Sequence, residues 1–144
     1  MKTSQAGIDA IAQREGERLT AYPDPATGGE PFTIGVGHTG GVAEGDTITQ
    51  EESRAFLAAD LATAEAAINR GVKVPVSQNE FDAMVSFTFN VGVANFMTST
   101  LLRLLNIGDH KDAANEFPKW NRAAGRVMAG LVTRRAGERD QFLS

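Results

Sequence analysis

Residues 19–38 restrict this chain more than any other segment, because helix cannot run through them. The first part, LTAYPD, runs into Pro25, and a residue that precedes proline is held to extended conformations. ATGGE supplies turn chemistry through Gly28 and Gly29. The second part, PFTIGVGH, alternates Phe32, Ile34 and Val36 with Thr33, Gly35 and Gly37, the period of a strand with one apolar face. A β-hairpin follows, with Thr33 on the face away from the apolar residues and glycines beside it that leave room for a close ligand.

On either side the apolar spacing is helical. Ser4 or Thr3 can cap a first helix whose stripe is Ile8, Ile11 and Ala12. Glu15 falls on that same stripe, and Gly16 weakens the helix just after it. Thr49 and Glu52 form a capping box that opens a long helix to about Arg70, carrying Leu57, Leu61, Ala64 and Ile68 on one side. Ser77 and Glu80 repeat the box ahead of Phe81, Met84, Val85, Thr88 and Phe89, a nearly uncharged helix fit for a core. NVGVAN (90–95) breaks it. A helix near 98–107, a short one stopped by Pro118, a loop from Trp120 through NRAAGRVMAG and a last helix from Leu131 complete the reading. Helix, hairpin, then helices is an α+β order with the strands segregated. The expected organisation is a single catalytic domain over 1–144. It has a hairpin lobe at about 16–48, a connecting helix at about 49–70, and a helical lobe at about 71–144 packed with helix 3–15.

Composition excludes several kinds of chemistry. There is no cysteine, so neither a disulfide framework nor a thiol nucleophile is available. With two histidines, His38 and His110, a three-ligand zinc hydrolase is disfavoured, and no metal or other cofactor is expected. Net charge is −4, which argues against nucleic acid as the main partner. The basic residues gather in 101–144. No segment has the apolar run of a signal peptide or of a membrane span. The chain is therefore expected to stay where it is made, without stable membrane insertion, until something releases it.

Two carboxyls remain as candidates for acid–base chemistry. Glu15, on an apolar stripe, is expected to be partly desolvated, which favours the neutral form a general acid needs. The alternative is a helix-end Glu turned into water. Asp24 lies between Pro23 and Pro25, so its direction is fixed; the alternative is a turn-capping Asp. One acid in a dry site and a second carboxylate in a polar one is the arrangement that cleaves glycosidic bonds. Thr33 is placed to orient a water, and His38 reads as a scaffold residue near the site, since no second His or Ser neighbour would make it a base.

EGERLTAYPDPATGGEPFTIGVGHTGG (15–41), FNVGVANFMTSTLLRLLNIGD (89–109) and WNRAAGRVMAGLVTRRAGERDQFL (120–143) together resemble the phage-type lysozymes, the muramidase endolysins of glycoside hydrolase family 24. The likeness implies a mostly helical, two-lobed lysozyme-like fold with Glu15, Asp24 and Thr33 as catalytic residues. It implies hydrolysis of the β-1,4 bond between N-acetylmuramic acid and N-acetylglucosamine in peptidoglycan, with inversion. It also places Phe89, Asn90 and Asn95 beside the substrate, with Trp120 and Arg126 as weaker candidates. It further implies a monomer held in the host cytoplasm until a holin lets it reach the wall. Eight residues separate Asp24 from Thr33 where better-known members have fewer, and Val36 stands where TIGYGH would have Tyr. The rival readings are a lytic transglycosylase, which cuts the same bond without water, and a silent peptidoglycan-binding domain.

Overall fold

The computed structural model describes residues 1–144. They form two compact units, Ile8–Ala62 and Met1–Gly7 with Thr63–Ser144. Helix α1, Gln5–Glu15, begins in one unit and ends in the other. Ser4 caps it, its Oγ accepting from Gly7 N–H at 3.1 Å, and Gly16 closes it at φ +83° with its N–H on Ala12 O at 3.0 Å. A left-handed residue is what lets a helix end this way, and glycine adopts it without a Cβ penalty.

In the Ile8–Ala62 unit, strand β1 (Arg18–Tyr22) pairs antiparallel with β2 (Thr33–Gly35). Arg18 faces Gly35 and Tyr22 faces Thr33, so four steps along β1 match two along β2, a bulge that bends the strand. The hairpin is narrower than expected, because after Gly35 the chain turns back at once. Ile34 N–H bonds to His38 O at 2.9 Å and His38 N–H to Ile34 O at 3.0 Å. A further edge, unforeseen in the sequence, comes from residues 46–48: Ala21 N–H meets Asp46 O and Ile48 N–H meets Leu19 O, both at 2.9 Å. Helix α2 (Gln50–Asp60) opens with the Thr49–Glu52 capping box and packs on β2. Ile11, Ile34, Val36, Leu57 and Leu61 are buried in this unit.

The segment expected to be one long helix falls into two, α2 and α3 (Ala62–Gly71), interrupted at Leu61. Leu61 keeps right-handed helical dihedrals and its N–H still reaches Leu57 O at 3.0 Å. No proline or glycine stands there, so the interruption has no local sequence cause.

The larger unit is helical. After α3 come α4 (Gln78–Val91), capped by the Ser77–Glu80 box, then α5 (Val93–Met97), α6 (Thr100–Asn106), α7 (His110–Ala114) and α8 (Ala129–Leu143). Helix α4 carries eight consecutive buried residues, Phe81–Thr88, and packs chiefly against α8. Gly92 at φ +95° separates α4 from α5, as the NVGVAN break predicts. Pro118 does not stop a helix; it lies inside a 3-10 turn, Phe117–Lys119, where the missing proline N–H is no loss. The loop expected after Trp120 holds a second hairpin, β3 (Arg122–Ala123) and β4 (Arg126–Val127). Its two-residue turn has positive φ at both Ala124 (51°) and Gly125 (77°), as the twist of a tight hairpin requires.

Two polar clusters hold this unit. Asp82, 1% exposed, accepts from Ser4 N–H at 3.1 Å, from Ser4 Oγ and from Gln78 Nε2 at 2.8 Å. Met1–Ser4 are thereby fixed to α4, with Thr3 N and Oγ1 on Glu65 of α3 at 2.7 and 2.6 Å. Inside α4·α8, Glu138 (0% exposed) accepts from Ser86 Oγ at 2.6 Å and pairs with Arg134 (3.1 Å) and the fully buried Arg135 (2.7 Å). A buried carboxylate is tolerable only when it is neutralised and bonded in this way.

Candidate active site

All three catalytic candidates lie in the Ile8–Ala62 unit, each on its own local scaffold. Glu15 is the last residue of α1 and is exposed. The expectation of a desolvated Glu15 is not met. The buried part of the stripe ends with Ile11 and Ala12, at 0% and 2% exposure, and the chain leaves the helix at Gly16.

Asp24 does two things at once. Its Oδ1 accepts Ala26 N–H at 2.8 Å, the turn-capping role foreseen as the alternative. Its other oxygen makes no bond within the protein. Anchoring by one oxygen fixes the direction of the second. The loop below it closes on itself. Asp24 N–H bonds to Gly29 O at 2.9 Å, Gly28 N–H to Asp24 O at 2.7 Å, and Thr27 Oγ1 links Gly29 N–H (3.2 Å) to Glu30 O (2.9 Å). The residues that lengthen the connection between Asp24 and Thr33 therefore form a braced loop, since each added peptide finds a partner inside it.

Thr33 opens β2, is half-buried, and its hydroxyl makes no bond within the protein. The room expected beside it is only partly there. A Cβ at Gly35 would stand 2.9 Å from Ser53 Oγ and 3.5 Å from Ile48 Cδ1, whereas Gly37 has nothing within 4 Å. The glycine at 35 admits α2, not a ligand.

His38 is built into the scaffold. Nδ1 meets Asp60 Oδ2 at 2.9 Å, Nε2 meets Gly40 O at 3.0 Å, and the ring stacks on Phe56 at 4.3 Å and 3°. Near the Glu15 end of α1, Arg54 joins Asp9 (2.5 Å) to Glu17 (2.8 Å). The Arg54 guanidinium bonded to Glu17 pulls that carboxyl down to about 2, against the opposing effect of burial, and Ser53 and Gln50 add hydrogen bonds in the same direction. Glu17 is thereby fixed as an anion and has no part as an acid at neutral pH.

In the larger unit, Asn90 and Asn95 line a pocket of about 400 Å³ with Lys119, Trp120, Arg122 and Leu131. Asn95 Nδ2 also donates to Val91 O at 2.8 Å, bracing the α4–α5 turn. Phe89 is half-buried and does not line the pocket. Trp120 was the weaker sequence candidate, yet it forms one wall. Its edge rests on Phe87 at 5.5 Å, and Arg135 lies over the Phe87 ring at 5.1 Å. Lys119 and Arg122 escaped the sequence reading because nothing in their local spacing ties them to Asn90. Arg126 does not line the pocket. No group of three or more His, Asp or Glu side chains is arranged to hold a metal ion, and no helix is long and apolar enough to cross a membrane.

A mostly helical chain with two small antiparallel sheets has the lysozyme-like fold, and its relatives place it among the glycoside hydrolases of the lysozyme class. Residues 12–138 match the phage lysozyme family, and the chain belongs to that family. It is 46% identical to the endolysin of Salmonella phage P22 and 43% identical to that of Acyrthosiphon pisum secondary endosymbiont phage 1, over all of this chain and 99% of each relative. It is 44% identical to the endolysin of Bacillus phage PZA but spans only 56% of that protein. Among solved structures, a P22 lysozyme superposes with a TM-score of 0.92 at 45% identity, covering 100% of this chain and 99% of that one. The muramidase domain of SpmX from Asticaccaulis excentricus gives 0.88 at 39% identity, over 99% and 98%.

Proposed function

We propose that this lysozyme hydrolyses the β-1,4 bond between N-acetylmuramic acid and N-acetylglucosamine in bacterial peptidoglycan, with inversion, and so lyses a host cell. The observation that carries the reading is Asp24: one carboxylate oxygen is held by Ala26 N–H and the other is left uncommitted. A general base that must aim at one water needs that arrangement. Thr33, with its hydroxyl unspent, is the second hold on the water. Glu15 is the general acid. Glu15 is exposed in the free protein, so water is excluded from the acid when bound glycan covers the site. Asn90 and Asn95, together with Trp120, offer amide groups and an aromatic wall suited to sugars.

Inversion calls for about 6.5–9.5 Å between the two carboxyls to admit a water. A holin supplies passage from the host cytoplasm to the wall, and the enzyme acts as a monomer. The test is digestion of purified peptidoglycan by wild type and Glu15→Gln, following product mass and anomer by NMR. The expected products are reducing ends of inverted configuration, lost in the variant. Products one water lighter would establish a transglycosylase. Binding without new reducing ends would establish a silent wall-binding domain.

A further inference from the structure

We propose that Tyr22, steadied by Arg18, is a positioning residue for the Thr33 hydroxyl; the inference rests on the water-holding role given to Thr33 above. Tyr22 and Thr33 are direct cross-strand partners in the β1·β2 pair. Side chains so placed share a face of the sheet, with Cβ atoms roughly 4.5–5.5 Å apart. Thr33 is β-branched and so has few χ1 rotamers, and which of them it adopts decides where Oγ1 points. No hydrogen bond within the protein selects one of them. The Tyr22 ring, on the same face of the pair, is placed to fix where Oγ1 points.

The ring is itself held. Arg18 Cζ lies 4.4 Å from the Tyr22 centroid. Four residues along a regular strand would separate their Cα atoms by about 13 Å. The bulge between Arg18 and Tyr22 bends β1 where that contact is made. Arg18 is exposed and forms no ion pair or side-chain hydrogen bond, so the Tyr22 ring is its one specific partner. An arginine left without a carboxylate in a unit rich in acids is spent on this contact alone. Tyr22 is also two residues before Asp24, so the same ring borders the segment from which the second hold on the water departs.

A double-mutant cycle with Thr33 tests this, run on soluble uncross-linked glycan fragments. Tyr22→Leu is expected to lower kcat about tenfold, as a small misplacement of a reacting group does, with KM within about twofold. Tyr22→Phe, which keeps the ring, should stay close to wild type. Arg18→Leu, at an exposed position of β1, should lower kcat severalfold in the same way. In a Thr33→Ala background both losses should vanish, because the residues act through one hydroxyl. The same loss in both backgrounds would overturn the proposal and leave Tyr22 a structural residue. A raised KM with unchanged kcat would instead make it a direct sugar contact, which also overturns it. If Thr33→Ala alone left kcat intact, the water-holding role of Thr33 would fail and this inference with it.

Discussion

Glu17→Gln removes the charge that Arg54 gathers between α1, the following loop and α2, and its cost should depend on pH in a calculable way. Glu17 is 14% and Arg54 24% exposed, with Nε to Oε2 at 2.8 Å and Nη2 to Oε1 at 3.2 Å. Holding the carboxyl at about 2 in place of 4.5 corresponds to at most about 3 kcal/mol. Solvent at the open edge of the pair reduces this to about 1–2 kcal/mol. For a chain of this size that is a drop in Tm of about 4–6 °C at pH 7. The carboxyl is depressed in the folded protein. Its contribution is therefore complete above the ordinary Glu value and is lost as pH falls from 4.5 toward 2. More than half of the difference between wild type and variant should be gone between pH 5 and pH 3. Thermal unfolding followed by circular dichroism from pH 3 to 7 measures it. A gap that stays constant over that range, or no gap at pH 7, would refute the assignment of the stabilisation to the Glu17 anion.

Further outcomes are expected from three other positions. Gly7→Ala would put a Cβ 2.6 Å from Asp82 Cγ and 2.8 Å from Thr3 Cγ2. It should cost about 2 kcal/mol or more in urea unfolding, and an unchanged midpoint would mean that α1 can shift away from α4. Ala124 pays for φ 51° with a Cβ; Ala124→Asn should raise stability by up to about 1 kcal/mol, read as a higher Tm. Glu138→Gln leaves two buried guanidiniums short of a counter-charge and should destabilise by about 3–5 kcal/mol. It should also perturb Trp120 fluorescence, through Arg135 and Phe87.

Much of the local structure could be read from the chain, because its causes are local. Ser77–Glu80 and Thr49–Glu52 form their capping boxes within three residues, Gly16 ends α1, and the alternation around Ile34 gives a strand. The β3–β4 hairpin could not be read, because Ala-Gly lacks the Asn-Gly or Asp-Gly signal and the ribbon is only two residues long on each side. The break at Leu61 has no sequence mark at all.

For the site, the sequence by itself determined which groups are present and in what order: Glu15 at a helix end, Asp24 between prolines, Thr33 on a strand, and His38 after it. Periodicity could not decide what covers them, because it reports which residues share a side and not where a neighbouring element stops. Tertiary structure therefore decided that Glu15 is exposed and that the space at Gly35 belongs to Ser53 and Ile48. It also decided that Asp24 both caps its turn and keeps one oxygen free, and that Tyr22 is the cross-strand partner of Thr33. The packing at Gly35 depends on residues distant in sequence and the Tyr22–Thr33 pairing on a register shift, and neither is written in the local pattern of side chains.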